Sequence, residues 1–409
     1  MSDVLVSFDF PPMIGGAHSW LYEVYRRWPT EVQVLTAEYA RDESEASRER
    51  EFDALVHGSL QISRAAKKSQ QIDLFSGRYI SSVWRQAQQI QALSGLSGTR
   101  NSGCDVIHAL RAFPEGVAGW LCSRRRPRSK FLVTYVHGEE VLVSQTSRQL
   151  TLLAERVYKD SDLIIANSES TRGILAEAYP SVDSVSIHPG VDVNRYTNVK
   201  NDSACRKNSY GWPKDTVVIL TLARMEERKN HAMVIRSVAQ LRSEGIPVAL
   251  ICAGDGPERK RLDALSHELQ MSQWVRFIGS VAEKDKPQLF ASGDIFAMPS
   301  ITAGSMIEGF GIVFLEAAAA GLPTVCGNTG GQVEAVLHDK TGISVDGNSL
   351  GAVVAAIKKL VINRDLRHQL GQAGRLWAME NDWEILGKKV QLAIQNLRKS
   401  RSTSVKRQR

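Results

Sequence analysis

The chain reads as an α/β protein with two doubly wound, parallel-sheet domains. Three observations predict this class. Short apolar runs alternate with helical patterns along nearly the whole sequence, which implies parallel sheets covered by helices. The alternation occurs as two successive series, separated by a polar break at His188-Pro189-Gly190-Val191-Asp192. At 409 residues the chain is too long for one compact core.

The first series has strand patterns over 4–8, 32–35, 106–108, 131–136, 163–166 and 184–188. Helical patterns cover 17–27 and 150–158. Residues 38–75 are polar and mixed in charge (Arg41-Asp42-Glu43-Ser44-Glu45), which reads as an exposed insertion or a solvated helix. At the break Pro189-Gly190 stops the last strand, and polar residues without a period continue to about 212. The second series has strands over 217–222, 248–253, 275–278, 295–298, 323–326 and 342–345, with helices over 231–241, 258–269 and 350–360. A last helix starts at Asn381-Asp382-Trp383-Glu384, with Asp382 suited to cap it. The domains expected are 1–200, 206–378 and a closing helix over 381–400.

Composition excludes several classes. Apolar content of 43% and charged content of 23% are ordinary for a soluble globular protein. No apolar run reaches membrane-spanning length. Met1-Ser2-Asp3-Val4 lacks the basic start of a signal peptide and enters a strand at once. Of five cysteines (Cys104, Cys122, Cys205, Cys252, Cys326), none is spaced as a metal pair. Cys252 and Cys326 fall in strand patterns and read as reduced, buried thiols of a cytoplasmic protein.

The net charge is +7, yet residues 1–200 carry 23 basic and 23 acidic side chains, so the excess belongs to the second half. Six basic residues fall in the last twelve positions, and 401–409 reads as a disordered basic tail. That tail and the patch Arg124-Arg125-Arg126-Pro127-Arg128-Ser129-Lys130 suit peripheral contact with anionic lipid at the inner face of the plasma membrane. They suit a solvated surface equally well. No nucleic-acid motif is present.

The most informative stretch is Glu308-Gly309-Phe310-Gly311-Ile312-Val313-Phe314-Leu315-Glu316. A glycine-led helix start offers free backbone N–H groups and the positive end of a dipole, which suits a phosphate. Glu308 lies in the loop before the helix and Glu316 about a turn into it. Two carboxylates flanking a phosphate site describe the recognition of a nucleotide sugar.

This segment, with Gly327-Asn328-Thr329-Gly330-Gly331 downstream, resembles the donor-site signature of the retaining glycosyltransferases of family 4. The resemblance recurs in order. Arg224 and Lys229, following strand 217–222, stand where the family carries an arginine and, five residues on, a lysine. Gly15 and Gly16 stand at the family's glycine pair between the first strand and first helix. His137, ending strand 131–136, resembles the family residue that contacts the sugar near its 6-hydroxyl. Gly254-Asp255-Gly256-Pro257, Asn167-Ser168 and Phe277-Ile278-Gly279 are further fragments of the pattern, the last expected near the base.

The resemblance implies a GT-B fold, two Rossmann-like domains facing a central cleft, with the closing helix packed on the N-terminal domain. It implies that Arg224 and Lys229 hold the diphosphate and stabilise the charge of the leaving group. The amides near Gly311, Ile312 and Val313 would assist, Glu316 would hold the ribose and Glu308 the sugar hydroxyls around positions 3 and 4. Glu308, His137, Arg224 and Lys229 are the catalytic candidates. No resident cofactor and no metal are expected, because two fixed cations replace the Mg²⁺ of other transferases. Asp160-Ser161-Asp162 precedes a strand and reads as helix-end polarity. Arg228 does not match the family spacing, and Arg111 is placed where an acceptor could lie.

In wording the chain is closest to bacterial mannosyltransferases that use GDP-mannose, acting on a glycan or lipid-linked acceptor. UDP-glucose, UDP-galactose and UDP-N-acetylglucosamine stay open as donors. The rival classes are a nucleotide-sugar epimerase, a non-catalytic glycan-binding protein and a nicotinamide enzyme. The intact Arg/Lys/Glu set weighs against the first two. The last lacks its glycine triad with a downstream acid.

Overall fold

A computed structural model describes residues 3–13, 15–38, 42–56, 60–67, 83–90, 106–124, 130–197 and 209–407, with the single positions 40, 92 and 199. Cys104, Cys205 and residues 125–129 of the basic patch lie outside the described residues. The chain divides into two compact units, Met1–His188 with Trp383–Arg409, and Pro189–Asp382.

Unit 1 is built on a parallel sheet of seven strands: β1 (Asp3–Val6), β2 (Val32–Glu38), β3 (Leu60–Lys67), β4 (Val106–Ala109), β5 (Phe131–Val136), β6 (Leu163–Ala166) and β7 (Val185–Ser186). Their order is β3-β2-β1-β4-β5-β6-β7. Every neighbouring pair is parallel. Strands β1 and β4 are wholly buried, as a sheet covered on both faces requires.

Strand β3 was not expected. The stretch read as an insertion or a solvated helix contains both a helix, Glu43–Leu55, and this strand. In Leu60–Lys67 polar residues interrupt the apolar ones, which an edge strand paired only to β2 tolerates. The pattern at 184–188 shrinks to two strand residues, Val185 and Ser186 in register with β6, with one further bond from Ile187 N–H to Ala166 O at 2.9 Å.

Unit 2 holds β8 (Val217–Leu222), β9 (Val248–Ala253), β10 (Val275–Gly279), β11 (Ile295–Met298), β12 (Thr324–Gly327) and β13 (Gly342–Val345). The order is β10-β9-β8-β11-β12-β13, again all parallel. In both sheets the order reverses beside the first strand, between β1 and β4 and between β8 and β11. Ligands of doubly wound sheets bind outside the carboxyl ends of strands at such a reversal.

Three helices matter below. Helix α1 (Gly16–Tyr25) follows β1, and α2 (Ile312–Ala320) follows β11. Helix α3 (Trp383–Arg407) returns the chain to unit 1. It stays helical through Arg407, past the point where composition places the start of a disordered tail. It docks on unit 1 through Arg27 Nε to Glu384 at 2.8 Å and Gln391 Nε2 to the Arg27 carbonyl at 3.1 Å. Deeper, Arg398 donates to Asp3, a fully buried carboxylate that also accepts from Trp28 Nε1 at 3.0 Å.

Candidate active site

The donor-type residues of unit 2 gather at its strand-order reversal. Strand β8 is buried at every position and releases the chain at Ala223. The turns after β8 and β9 are laced together. Ala223 N–H donates to Ala253 O at 3.1 Å, Met225 N–H to Asp255 O at 2.9 Å, and Glu258 N–H to Met225 O at 3.0 Å. Gly254 permits this approach: its φ is +116°, and a Cβ there would collide with the Ala223 carbonyl oxygen. The Gly-Asp-Gly-Pro fragment therefore supports the segment that carries Arg224. The Arg224 side chain is 72% exposed, with Nε 3.2 Å from Glu226 Oε1.

One turn later Asn230 adopts a left-handed conformation. Its side-chain amide donates to Pro299 O at 3.0 Å and Gly347 O at 2.8 Å, while Ile301 N–H donates to Arg228 O at 2.8 Å. These bonds tie the cationic turn to the loops after β11 and β13 and bring Lys229 against Glu308.

The Glu308 side chain is 9% exposed, and Lys229 Nζ donates to its Oε2. Arg228 Nη1 lies 3.5 Å from the same oxygen, and Arg228 Nε lies 3.2 Å from Glu226 Oε2. Burial alone would raise the Glu308 pKa. The charges of Lys229 and Arg228 outweigh it, and the carboxyl is held below its ordinary range. The Glu308 carbonyl accepts from Gly331 N–H at 2.8 Å, which ties in the downstream glycine pair.

Gly311 caps α2 in a left-handed conformation (φ +86°), where a Cβ would collide with the Phe314 ring. The side chains of Ile312, Val313 and Ile278 pack on the unit 2 core. What Ile312 and Val313 present is therefore backbone N–H at a helix start. Glu316, on the same helix, accepts from Lys286 Nζ at 3.1 Å, and Lys286 also lies 2.6 Å from Glu283 Oε1. Burial keeps the Tyr196 hydroxyl protonated, with the neighbouring Glu316 charge adding to the effect.

In unit 1 Gly15 precedes α1 and Gly16 begins it. His137 follows β5. Its Nε2 lies 2.9 Å from the Leu110 carbonyl, so that nitrogen carries the proton, and Trp20 meets its ring edge-on at 5.6 Å. Burial, with the Arg111 charge adding to it, pushes its pKa down to about 3, and the ring is neutral at physiological pH. His137 N–H donates to Glu140 Oε1 at 2.7 Å, and burial pushes the Glu140 carboxyl up to about 7. Asp160 accepts from Trp120 Nε1 at 2.6 Å and Asp162 from Leu132 N–H at 2.9 Å, so both acids of the Asp-Ser-Asp run serve the unit 1 scaffold.

Residues 14–195 match the model for "Glycosyltransferase Family 4" and residues 204–377 that for "Glycosyl transferases group 1". A Mycolicibacterium smegmatis protein named GDP-mannose-dependent alpha-(1-6)-phosphatidylinositol monomannoside mannosyltransferase is 30% identical over 97% of this chain and 99% of its own.

The chain belongs to glycosyltransferase family 4.

Other relatives of this glycosyltransferase include a D-inositol 3-phosphate glycosyltransferase of Corynebacterium jeikeium, 29% identical over 72% of this chain and 74% of that one. Among solved structures, Anabaena HepE in complex with UDP and glucose superposes with a TM-score of 0.76 at 20% identity, over 97% of this chain and 100% of that one. Sucrose-phosphate synthase of Thermosynechococcus elongatus gives 0.78 at 19%, over 98% and 99%. The fold is GT-B.

Within unit 2 the fold brings Lys229 to Glu308 and sets Arg224 on the same turn, while Glu316 sits with Lys286. Gly15, Gly16 and His137 belong to unit 1. Arg228, set aside for its spacing, contacts Glu308 directly. Lys286 and Tyr196 were missed, since a lone lysine 30 residues before its partner carries no local signal. The described residues contain no helix long and apolar enough to cross a membrane.

Proposed function

We propose that this glycosyltransferase moves mannose from GDP-mannose to a glycan or lipid-linked acceptor, with retention at the anomeric carbon and without a metal. One observation carries the reading. Lys229, which the family resemblance assigns to the diphosphate, donates to Glu308, which it assigns to the sugar. A cation for the leaving group and a carboxylate for the transferred ring therefore meet at one point. The full-length similarity to a protein named as a GDP-mannose-dependent mannosyltransferase favours guanosine and mannose.

On this reading Arg224 and Lys229 take the diphosphate, with the amides of Gly311, Ile312 and Val313 at the helix start. Glu316, fixed by Lys286, accepts from the ribose hydroxyls, and Ile278 lies near the base. Ionised Glu308 accepts from the hydroxyls around positions 3 and 4. Neutral His137 serves as a hydrogen-bonding group near the 6-hydroxyl, and Gly15 and Gly16 allow close backbone approach. As the glycosidic C–O bond to the β-phosphate breaks, its electron pair stays on phosphate. The same phosphate takes the acceptor hydroxyl proton while that oxygen bonds the anomeric carbon on the same face. Arg224 and Lys229 stabilise the developing charge.

The test is a thermal-shift panel with GDP-mannose, GDP, UDP-glucose, UDP-N-acetylglucosamine and UDP, followed by product analysis with phosphatidylinositol monomannoside. Guanosine ligands should raise the midpoint. Glu308→Ala should cut turnover by orders of magnitude. Stabilisation by uridine nucleotides alone would overturn the donor. Near-normal turnover in a combined Glu308→Ala, Arg224→Ala variant would overturn the site.

A further inference from the structure

A second constellation sits at the strand-order reversal of unit 1. Asp9 follows β1 and Arg111 follows β4, the two strands between which the order turns. Arg111 Nη2 donates to Asp9 Oδ2 at 2.6 Å. Both side chains reach solvent, Arg111 at 30% and Asp9 at 19% exposure. Behind them Glu115, 1% exposed, accepts from Phe8 N–H at 3.1 Å and holds its other oxygen 3.9 Å from Arg111 Nε. That oxygen and Arg111 Nε are buried without a hydrogen-bond partner. Glu115 thus fixes the guanidinium by charge from behind, while part of Arg111 and of Asp9 stays open to solvent past the carboxyl ends of β4 and β1.

From this geometry we infer that Asp9 and Arg111 form a polyol-binding subsite that takes two adjacent hydroxyls of a cyclic polyol, a hexose or inositol ring. The charge balance selects this ligand class. One guanidinium stands against the carboxylates of Asp9 and Glu115, with Glu140 also acting on it, so an anion gains nothing here. A hydroxyl both donates and accepts. One hydroxyl can donate to Asp9 while its neighbour accepts from Arg111, and both bonds are charge-assisted. The bridge is open to water past the carboxyl ends of the strands, where its groups can exchange water for a ligand. The inference rests on the transferase reading only in making that polyol the acceptor.

Saturation-transfer NMR tests it without turnover, with methyl α-mannopyranoside and myo-inositol as separate probes. The variants are Asp9→Asn, which removes the charge, and Arg111→Lys, which removes the planar fork. Thermal midpoints and GDP binding serve as folding controls. At least one polyol should receive saturation from the wild type, with the signal weakened about tenfold in each variant, in line with a lost charged hydrogen bond. The probe that loses signal identifies the ring. In transfer assays the acceptor KM should rise by a similar factor while the GDP-mannose KM holds. No saturation of either probe by the wild type, or undiminished saturation in both folded variants, would overturn the inference. Polyol binding that needs Asp9 and Arg111 in a protein transferring no sugar would uphold the subsite and sink the transferase reading instead.

Discussion

Replacing Lys229 with methionine isolates the electrostatics of the Glu308 site. Methionine keeps most of the stem and removes the charge. In the wild type, burial works to protonate Glu308, and Lys229 and Arg228 together reverse that. Breaking a buried ion pair from one side costs about 3–5 kcal/mol. Arg228 stays 3.5 Å away and the site is slightly wet, so the low end applies. The expected loss is about 3 kcal/mol at neutral pH, a factor of roughly 150 in the unfolding equilibrium of unit 2. The sign with pH follows from the lowered pKa of Glu308. Its contribution is present above the unfolded value of 4.5 and is lost as pH falls through the folded value. The gap between wild type and Lys229→Met should therefore be widest near pH 7 and close below 4.5. Urea unfolding at three pH values, followed by the unit 2 tryptophans, measures it. A gap under about 1 kcal/mol, or one constant across pH, would refute the reasoning, since an exposed pair contributes no more than that. Adding Glu308→Gln to the same chain should restore more than half of the loss, because no charge is then left buried.

Glu140→Gln should act in the opposite direction. Its carboxyl is pushed up to about 7 from 4.5 by burial, so the folded protein keeps a proton that the unfolded chain releases, and wild-type stability drains away as pH rises across that range. The variant, still able to accept from His137 N–H, should be more stable than wild type by on the order of 3 kcal/mol at pH 8 and about equal at pH 4 in urea titrations. Gly254→Ala should cost about 3 kcal/mol, from strain at φ +116° and collision with the Ala223 carbonyl, and should weaken GDP binding by moving the Arg224 turn. Unchanged GDP affinity in that variant would show that the turn does not position Arg224.

Much of the fold was legible because the central strands are buried on both faces. Strands β8, β9 and β11 begin and end where their apolar runs do, since a covered parallel strand has no solvent face to carry polar residues. The reading fails at the margins for the same reason. Strand β3 has one neighbour, and Gln61, Ser63 and Arg64 conceal it. The tail carries no apolar stripe past Arg398, yet the helix continues through it to Arg407. Periodicity reports burial, so a segment whose sequence lacks the pattern gives no signal of its backbone geometry.

The site divides along similar lines. Glycines and charges at strand ends are local features, so Gly311, Glu308, Arg224 and Lys229 could be singled out from spacing and resemblance. Which cation faces which acid is decided by elements distant in sequence meeting in the fold, as Lys286 at the start of one helix reaching Glu316 inside another shows. Arg228 illustrates what is lost when a residue is judged by spacing alone. Its Nη1 shares Glu308 Oε2 with Lys229, and its Nε leans on Glu226. On the proposed reading a diphosphate draws Lys229 toward itself. With Lys229 as its only partner, Glu308 would then be left as an unpaired buried carboxylate, and donor binding would have to offset that cost. Arg228 keeps one cation on Glu308 whichever way Lys229 turns. The lysine can then serve the leaving group while the carboxylate stays ionised for the sugar hydroxyls.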